Sequence, residues 1–326
     1  VPDDAGDGYL AYRYALAPRQ QEDLYITARC ETGERVPVIT GYARALEQAE
    51  ADVARWQRSG AHIYTSNEQF NDWINRSAAD LHMLMTQTAH GSYPYAGVPW
   101  FSTPFGRDGL ITALQTLWLN PAIARGVLGF LAATQADASA AARDAEPGKI
   151  LHEMRSGEMA ALGEVPFGRY YGSVDATPLF IVLAGAYYER TGDGEFIEFL
   201  WPHIEAALAW IDNHGDVDGD GFVEYARHSA NGLVHQGWKD SEDAVFHADG
   251  TLAAAPIALC EVQGYVYAAR TAAAVLAEER GDPAHGSPDD RRAAIRDRAG
   301  QRSDVTRESL EGVVAVRSPV AVTVTA

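Results

Sequence analysis

Along most of this chain the apolar positions recur at helical spacing, and the stretches between them are aromatic and rich in Gly and Pro. The first clear case opens at Ser66-Asn67-Glu68-Gln69, a capping box in which Ser is followed three residues later by Gln. Phe70, Trp73, Ile74, Ser77, Leu81 and Leu84 then follow helical intervals. Residues 90–106 read as a loop. A helix starts at Arg107 with Leu110, Ile111, Leu114 and Leu117, and Asn120-Pro121 ends it, because the residue before Pro avoids the α region. Another helix runs from Pro121 through Leu131. A long loop over 137–173 should contain a short helical stretch. Thr177-Pro178 opens the next helix. Its body, Leu179 to Tyr188, is apolar on every side, which predicts burial all round. The helix after it carries a single stripe, Phe196, Ile197, Leu200, Ile204, Ala207, Leu208 and Ile211, and should cover a core from one side. After a loop at 213–255, Pro256 begins a second all-apolar helix through Tyr265, Val266 and Ala269.

All-apolar helices therefore alternate with one-faced helices, and the long loops carry the unusual residues. Concentric inner and outer rings of helices would give this pattern. The expected fold is mainly α, an (α/α)6 toroid of which about half is present, preceded by the end of a β domain. A generic helical bundle gives no reason for polar-aromatic loops to recur at one end, and there is no fixed period of the kind a solenoid shows. Tyr9 to Tyr14 and Asp23 to Thr27 have strand composition. The domain reading is 1–40 as the remnant of a β domain, 41–65 as connecting helix and linker, 66–280 as the partial barrel, and 281–326 as an atypical tail. That tail has no aromatic and no Lys, and is the kind of Arg/Ala/Val-rich sequence an out-of-frame or disordered segment would have.

Composition narrows the partners. The formal net charge of -19 over 326 residues argues against nucleic acid and anionic membrane surfaces. No apolar run is long enough to span a bilayer, and the expected location is cytoplasmic. Cys30 and Cys260 do not make a disulfide framework, and Cys260 reads as a small core residue. Asn75-Arg76-Ser77 fits a glycosylation acceptor but falls inside a helical pattern. No Walker loop, dinucleotide fingerprint, zinc spacing or Ser-His-Asp signature is present. Asp216 to Glu224 begins like a calcium loop, yet its twelfth position is Arg227, so an Asp-Gly turn before a short strand is preferred. No metal and no cofactor are expected.

Four stretches concentrate chemistry. His235-Gln236-Gly237-Trp238-Lys239-Asp240-Ser241-Glu242-Asp243 places an indole beside a cation, three carboxylates and a histidine. A flat indole covers an apolar sugar face, and carboxylates hold hydroxyls. An exposed acidic turn with one anchoring Trp would look the same. Tyr93 to Gly109 holds five aromatic residues in a Pro-stiffened loop feeding a helix that starts at Arg107 and Asp108. Asp108 fits either a helix cap or a hydroxyl clamp whose geometry Arg107 fixes. His152 to Glu158 reads as a solvated helix face or a site segment. Phe167 to Pro178 again puts aromatics and an Asp before a buried helix.

These stretches carry a resemblance. Pro94 to Asp108, Tyr170 to Pro178, Gln236 to Ser241 and Glu261-Val262-Gln263-Gly264-Tyr265 resemble, in order, bacterial glycogen-debranching-type proteins. These are the amylo-α-1,6-glucosidase group of (α/α)6-barrel glycoside hydrolases, related to mannosylglycerate hydrolase, and the likeness runs from Ser66 to about Arg280. The resemblance implies an inverting hydrolase acting on α-glucosidic bonds of glycogen-like or maltooligosaccharide substrates. In such an enzyme an acid protonates the leaving oxygen while a carboxylate about 6.5–9.5 Å away activates water. It implies Asp240 as the acid and Arg107 and Asp108 as the clamp on a terminal glucose, with Trp100, Trp238, Lys239, Glu261 and Gln263 lining the subsite. Phe101, Tyr170 and Asp175, within the matching stretches, complete the substrate-binding set. The family's base is a Glu in the second half of the barrel, whose typical stretches are absent here. The expectation is thus a truncated chain without its base. Two other readings stay open: a non-catalytic glucan-binding homologue, and a hydrolase of mannosylglycerate or another small glycoside.

Overall fold

The computed structural model describes residues 3–27, 38–165 and 167–280. It divides into two compact units, Val1–Arg58 and Ser59–Ala326. The expectation for the tail at 281–326 lies outside the described residues.

In the first unit, β1 (Asp4–Gly6) and β2 (Tyr9–Ala11) form an antiparallel hairpin, with Ala5 opposite Leu10. The expected strand at Asp23–Thr27 does not form: that segment has no ladder partner among the described residues. Helix α1 (Tyr42–Ser59) has no buried residue, in keeping with a surface or connecting helix.

The second unit is mainly helical. Its helices are α2 (Glu68–Leu84), α3 (Gly106–Thr116), α4 (Pro121–Thr134), the short α5 (Glu158–Ala161), α6 (Ala176–Thr191), α7 (Gly194–Asn213) and α8 (Cys260–Glu279). Their ends follow from sequence. Asn67 rather than Ser66 caps α2, its side chain accepting from the Phe70 amide at 3.2 Å. Asn120 caps α4 ahead of Pro121 at N1, and Asp193 caps α7 through the Phe196 amide at 3.1 Å. Gly192 ends α6 in the left-handed region that favours glycine.

Helix α6 is the hub. It packs on α3, α4, α7 and α8. Leu179, Phe180, Ile181, Leu183 and Ala184 are all buried, as an all-apolar helix requires. Helix α7 covers this core from one side through Phe196, Ile197, Leu200, Trp201, Ile204, Ala207, Trp210 and Ile211. Each large side chain so buried contributes about 1.5–3 kcal/mol of hydrophobic stabilisation.

The expectation for the last helix needs correcting. Residues 257–258 form strand β6 (Ile257–Ala258) against β5 (Glu224–Tyr225), and α8 begins only at Cys260. It buries one side, Val262, Ala269, Ala273, Ala274, Leu276 and Ala277, while Tyr267 is exposed. Its outward residues include Ala, Tyr and Val, so an apolar sequence here marks a one-faced helix. Cys260 is likewise exposed rather than part of the core. A further hairpin, β3 (Met85–Thr88) with β4 (Gly91–Pro94), extends into the segment read as loop. It lies on α4, where Gly126 permits the approach: a Cβ there would sit 2.2 Å from the Ser92 carbonyl oxygen.

Candidate active site

The loops that precede α3 and α6 meet at one end of the helical unit. Three extended segments lie side by side, bridged from Phe105 to Glu153 and from Glu153 to Tyr170. The Gly106 amide donates to the His152 carbonyl at 2.8 Å, and the Tyr170 amide donates to the Glu153 carbonyl at 2.9 Å. Gly106 makes this possible, because a Cβ there would fall 1.9 Å from the Leu151 carbonyl oxygen. The stretch around His152 and Glu153 is therefore buried and extended, which corrects its reading as a solvated helix face.

From this platform Arg107 enters in the first turn of α3. Its Nε donates to Asp175 Oδ2 at 2.6 Å, and its Nη1 lies 3.9 Å from Asp240 Oδ2. Asp175 is buried, and its other oxygen accepts from the Ser173 hydroxyl at 2.5 Å. Arg107 is thus anchored from behind by one carboxylate and faces a second, Asp240, whose side chain is 44% exposed. The Arg107 Nη2 is buried and has no protein partner.

Asp108 follows Arg107 on the open side. It is not the helix cap, since α3 is preceded by Phe105 and starts at Gly106. Withdrawal from water pushes its carboxyl above the usual range; Arg107 opposes this, while Asp175 and Asp240 add to it. A cavity of about 200 Å³ opens beside these residues, lined by Leu81, Leu84, Tyr95, Arg107, Asp108 and Ile111 among others.

The segment carrying Asp240 is fixed by a buried hub. Asp144, with φ of 49°, accepts from the His228 and Ser229 amides at 2.6 and 2.8 Å, and from the Tyr170 hydroxyl at 2.8 Å. Gln236 Nε2 donates to the same carboxylate at 3.2 Å, and the Gln236 carbonyl accepts from the Val174 amide at 2.9 Å. His235 is buried, with Nδ1 3.0 Å from the Tyr225 hydroxyl and Nε2 3.1 Å from the Glu242 carbonyl. The carbonyl can only accept, so Nε2 carries the proton and Nδ1 accepts from Tyr225.

Against the sequence-predicted set, the structure separates three roles. Arg107, Asp108, Asp175 and Asp240 come together. Trp100, Phe101 and Trp238 stand exposed, with Trp100 at 77%, and Lys239 Nζ lies 5.0 Å from the centre of the Trp238 ring. Tyr170 and Gln263 are placed otherwise than expected. Tyr170 is fully buried, and its hydroxyl is committed to Asp144 and to the Leu233 amide at 2.7 Å. The Gln263 side chain accepts from the Val223 amide at 3.0 Å and donates to the Val223 and Leu259 carbonyls. Both are framework, because every polar atom of such a side chain used on backbone is lost to a ligand. Glu261 is half-buried in the first turn of α8; burial first, then the charges of Asp175 and Glu261, push the nearby Tyr265 hydroxyl up.

Two groups near Arg107 belong to the stretch His152 to Glu158, which the sequence left open between a solvated helix face and a site segment. His152 is buried edge-on between the rings of Phe105 and Tyr170, and burial first, then Arg107 and Lys149, lowers its pKa to about 3. Glu153 is buried and paired with Arg155. Desolvation raises its pKa, Arg155 lowers it, and the charges of Asp240 and Asp108 raise it again. The sequence signal was the stretch as a whole, in which neither residue stands apart from the other charged positions.

Elsewhere, Asp216, Asp218 and Glu224 place carboxylate oxygens within 4.8 Å of one another. The loop closes on itself, with Gly219 and Gly221 at positive φ leading into β5, as the Asp-Gly turn reading expects. No helix among the described residues is long and apolar enough to cross a membrane. The sequence matches no protein-family model and no curated protein.

Proposed function

We propose that this chain carries the acid side of a glycoside hydrolase site for α-glucosidic bonds of glycogen-like or maltooligosaccharide chains, of the bacterial glycogen-debranching type. The observation that carries the reading is Arg107, held by buried Asp175 and directed toward exposed Asp240, with Asp108 beside it. Paired carboxylates around a fixed guanidinium suit a ligand made of vicinal hydroxyls. Asp108 accepts from two of them while Arg107 holds the angle. Trp100, Phe101 and Trp238 supply exposed rings for the apolar faces of successive sugars. Asp240 reaches the leaving oxygen and donates its proton as the bond to the anomeric carbon breaks. We assign no residue to the water-activating carboxylate.

The fold supports the same reading. A largely buried helix, α6, is followed by the one-faced α7, and the candidate chemistry sits in the loops before α3 and α6 and before α8. Such an order suits part of an (α/α)6 toroid, whose inner helices present their loops at one end.

Calorimetric titration with maltotriose, paired with a glucose-release assay, tests the proposal. Binding that Asp108→Ala weakens is the expected result, and Asp240→Asn should bind like the parent while losing any hydrolysis. Absence of binding to any maltooligosaccharide at millimolar concentration would sink the reading. Binding without glucose release, in the parent as in the variant, would leave a glucan-binding module in its place.

A further inference from the structure

Trp100 stands at the turn of a small loop bridged from Gly97 to Phe101, in sequence between the cavity-lining Pro94, Tyr95 and Ala96 and the start of α3. Its ring is largely in water, so its orientation has to be set from the backbone. That backbone is held by Arg155, whose Nη1 donates to the Trp100 carbonyl at 2.9 Å. Arg155 is in turn held from both ends: its amide donates to the Phe167 carbonyl at 2.6 Å, and its Nε pairs with Glu153. Glu153 has no freedom of its own, because its backbone is bridged to Phe105 on one side and Tyr170 on the other.

We infer that Glu153 and Arg155 form a brace that positions Trp100 over the Arg107–Asp108 cavity, making Glu153 a positioning residue for sugar binding. The inference rests on the reading of this site as a glucan site. Burying a carboxylate beside Asp108 and Asp240 is unfavourable, and desolvation and those two charges all act against its ionised form. A neutral side chain at 153 would be easier to bury. The ionised carboxylate serves Arg155, whose planar fork donates to Glu153 through Nε and to the Trp100 carbonyl through Nη1. Lys could not make both contacts with that geometry.

The test uses the full chain and two readouts. Without ligand, Glu153→Gln should raise amide hydrogen exchange over 97–103 by about tenfold while leaving α4 and α6 unchanged. Arg155→Lys, at a partly exposed position, should do the same and covers the case in which Glu153→Gln fails to fold. With maltotriose as the probe, Glu153→Gln should weaken binding about five- to tenfold, and should add nothing on a Trp100→Ala background. Unchanged exchange over 97–103 in Arg155→Lys overturns the brace, as do losses from Glu153→Gln and Trp100→Ala that multiply. If the parent binds no maltotriose, the glucan reading fails, and the exchange measurement still decides whether the brace holds the loop.

Discussion

Tyr170 and Trp100 are both large aromatics in Gly-containing loops that run into a helix, and the structure uses them in opposite ways. Tyr170 is 0% exposed and its hydroxyl joins Asp144 to the Leu233 amide. Trp100 is 77% exposed, and its hydrogen-bonded group is its backbone carbonyl. The same division runs through the carboxylates. Asp144 is saturated by two amides, a phenol and an amide side chain, whereas Asp240 faces Arg107 at 3.9 Å with 44% of its side chain open. A carboxylate used up on donors of the fold sets geometry. One that is anchored at a distance and reachable by solvent remains free to exchange a proton or accept hydroxyls. The loop end therefore has an inner frame, Asp144, His152, Tyr170, Asp175 and Gln236, and an outer, solvent-facing layer, Trp100, Phe101, Trp238 and Asp240.

The largest expected effect belongs to the frame, in acid. His152 is held neutral, with a folded-state pKa of about 3 against an ordinary value near 6.5. Because the folded value is the lower one, its stabilising contribution is complete above pH 6.5 and is lost as pH falls toward 3. Full titration amounts to a loss on the order of 5 kcal/mol. Asp108 and Glu153, whose values are raised, act with the opposite sign: they favour the fold less as pH climbs above the usual carboxyl range. The difference between the parent and His152→Phe isolates the histidine. Urea midpoints measured from pH 7 to 4 should fall more steeply in the parent, and parallel curves would remove His152 from the frame.

Next in size is the buried ion pair. Asp175→Ala should cost about 3–5 kcal/mol in chemical denaturation, since Arg107 loses its 2.6 Å partner while remaining buried. A loss below about 1 kcal/mol would mean that Asp240 can take over as partner, and the two layers would not be distinct. A smaller loss, about 1–3 kcal/mol, is expected of Tyr170→Phe, which takes one donor from Asp144 and leaves the Leu233 amide without its acceptor. Its affinity for maltotriose should match the parent.

Much of the frame was legible as helices and little of it as chemistry. The all-apolar run at 179–188 predicts an interior helix, and most of it is buried, with Val182, Gly185, Ala186 and Tyr188 half-buried. The equally apolar start of α8 misled, because Ala and Tyr serve a half-exposed face as readily as a buried one, and Ile257–Ala258 is taken by a strand partner from 224–225 that no local pattern reveals. The four stretches rich in aromatics and charge do come together in the structure. Sorting them failed for Tyr170 and Gln263, whose partners lie 26 and 40 positions away in sequence. For Glu153 the choice between helix face and site segment stayed open for the same reason: the charges of Asp108 and Asp240 that act on it arrive from other loops.

The smallest expected stability effect separates the layers most sharply. Trp100→Ala and Trp238→Ala remove large side chains, and in a core each such truncation would cost about 3–5 kcal/mol. Here the rings are 77% and 54% exposed, so little apolar area returns to water on truncation and no enclosed cavity forms. Stability should therefore change by no more than about 0.5 kcal/mol for Trp100, and slightly more for Trp238, whose ring also carries Lys239 Nζ at 5.0 Å. Affinity should move the other way. A ring that covers one sugar face contributes about 1–3 kcal/mol through buried apolar area, so each variant should bind maltotriose at least several-fold more weakly. Exposure alone predicts the first result, and only a working role for the outer layer predicts the second. If both variants fold and bind as the parent does, the exposed aromatics have no part in the site, and the glucan reading loses its outer layer even if Arg107 and Asp240 stand as placed.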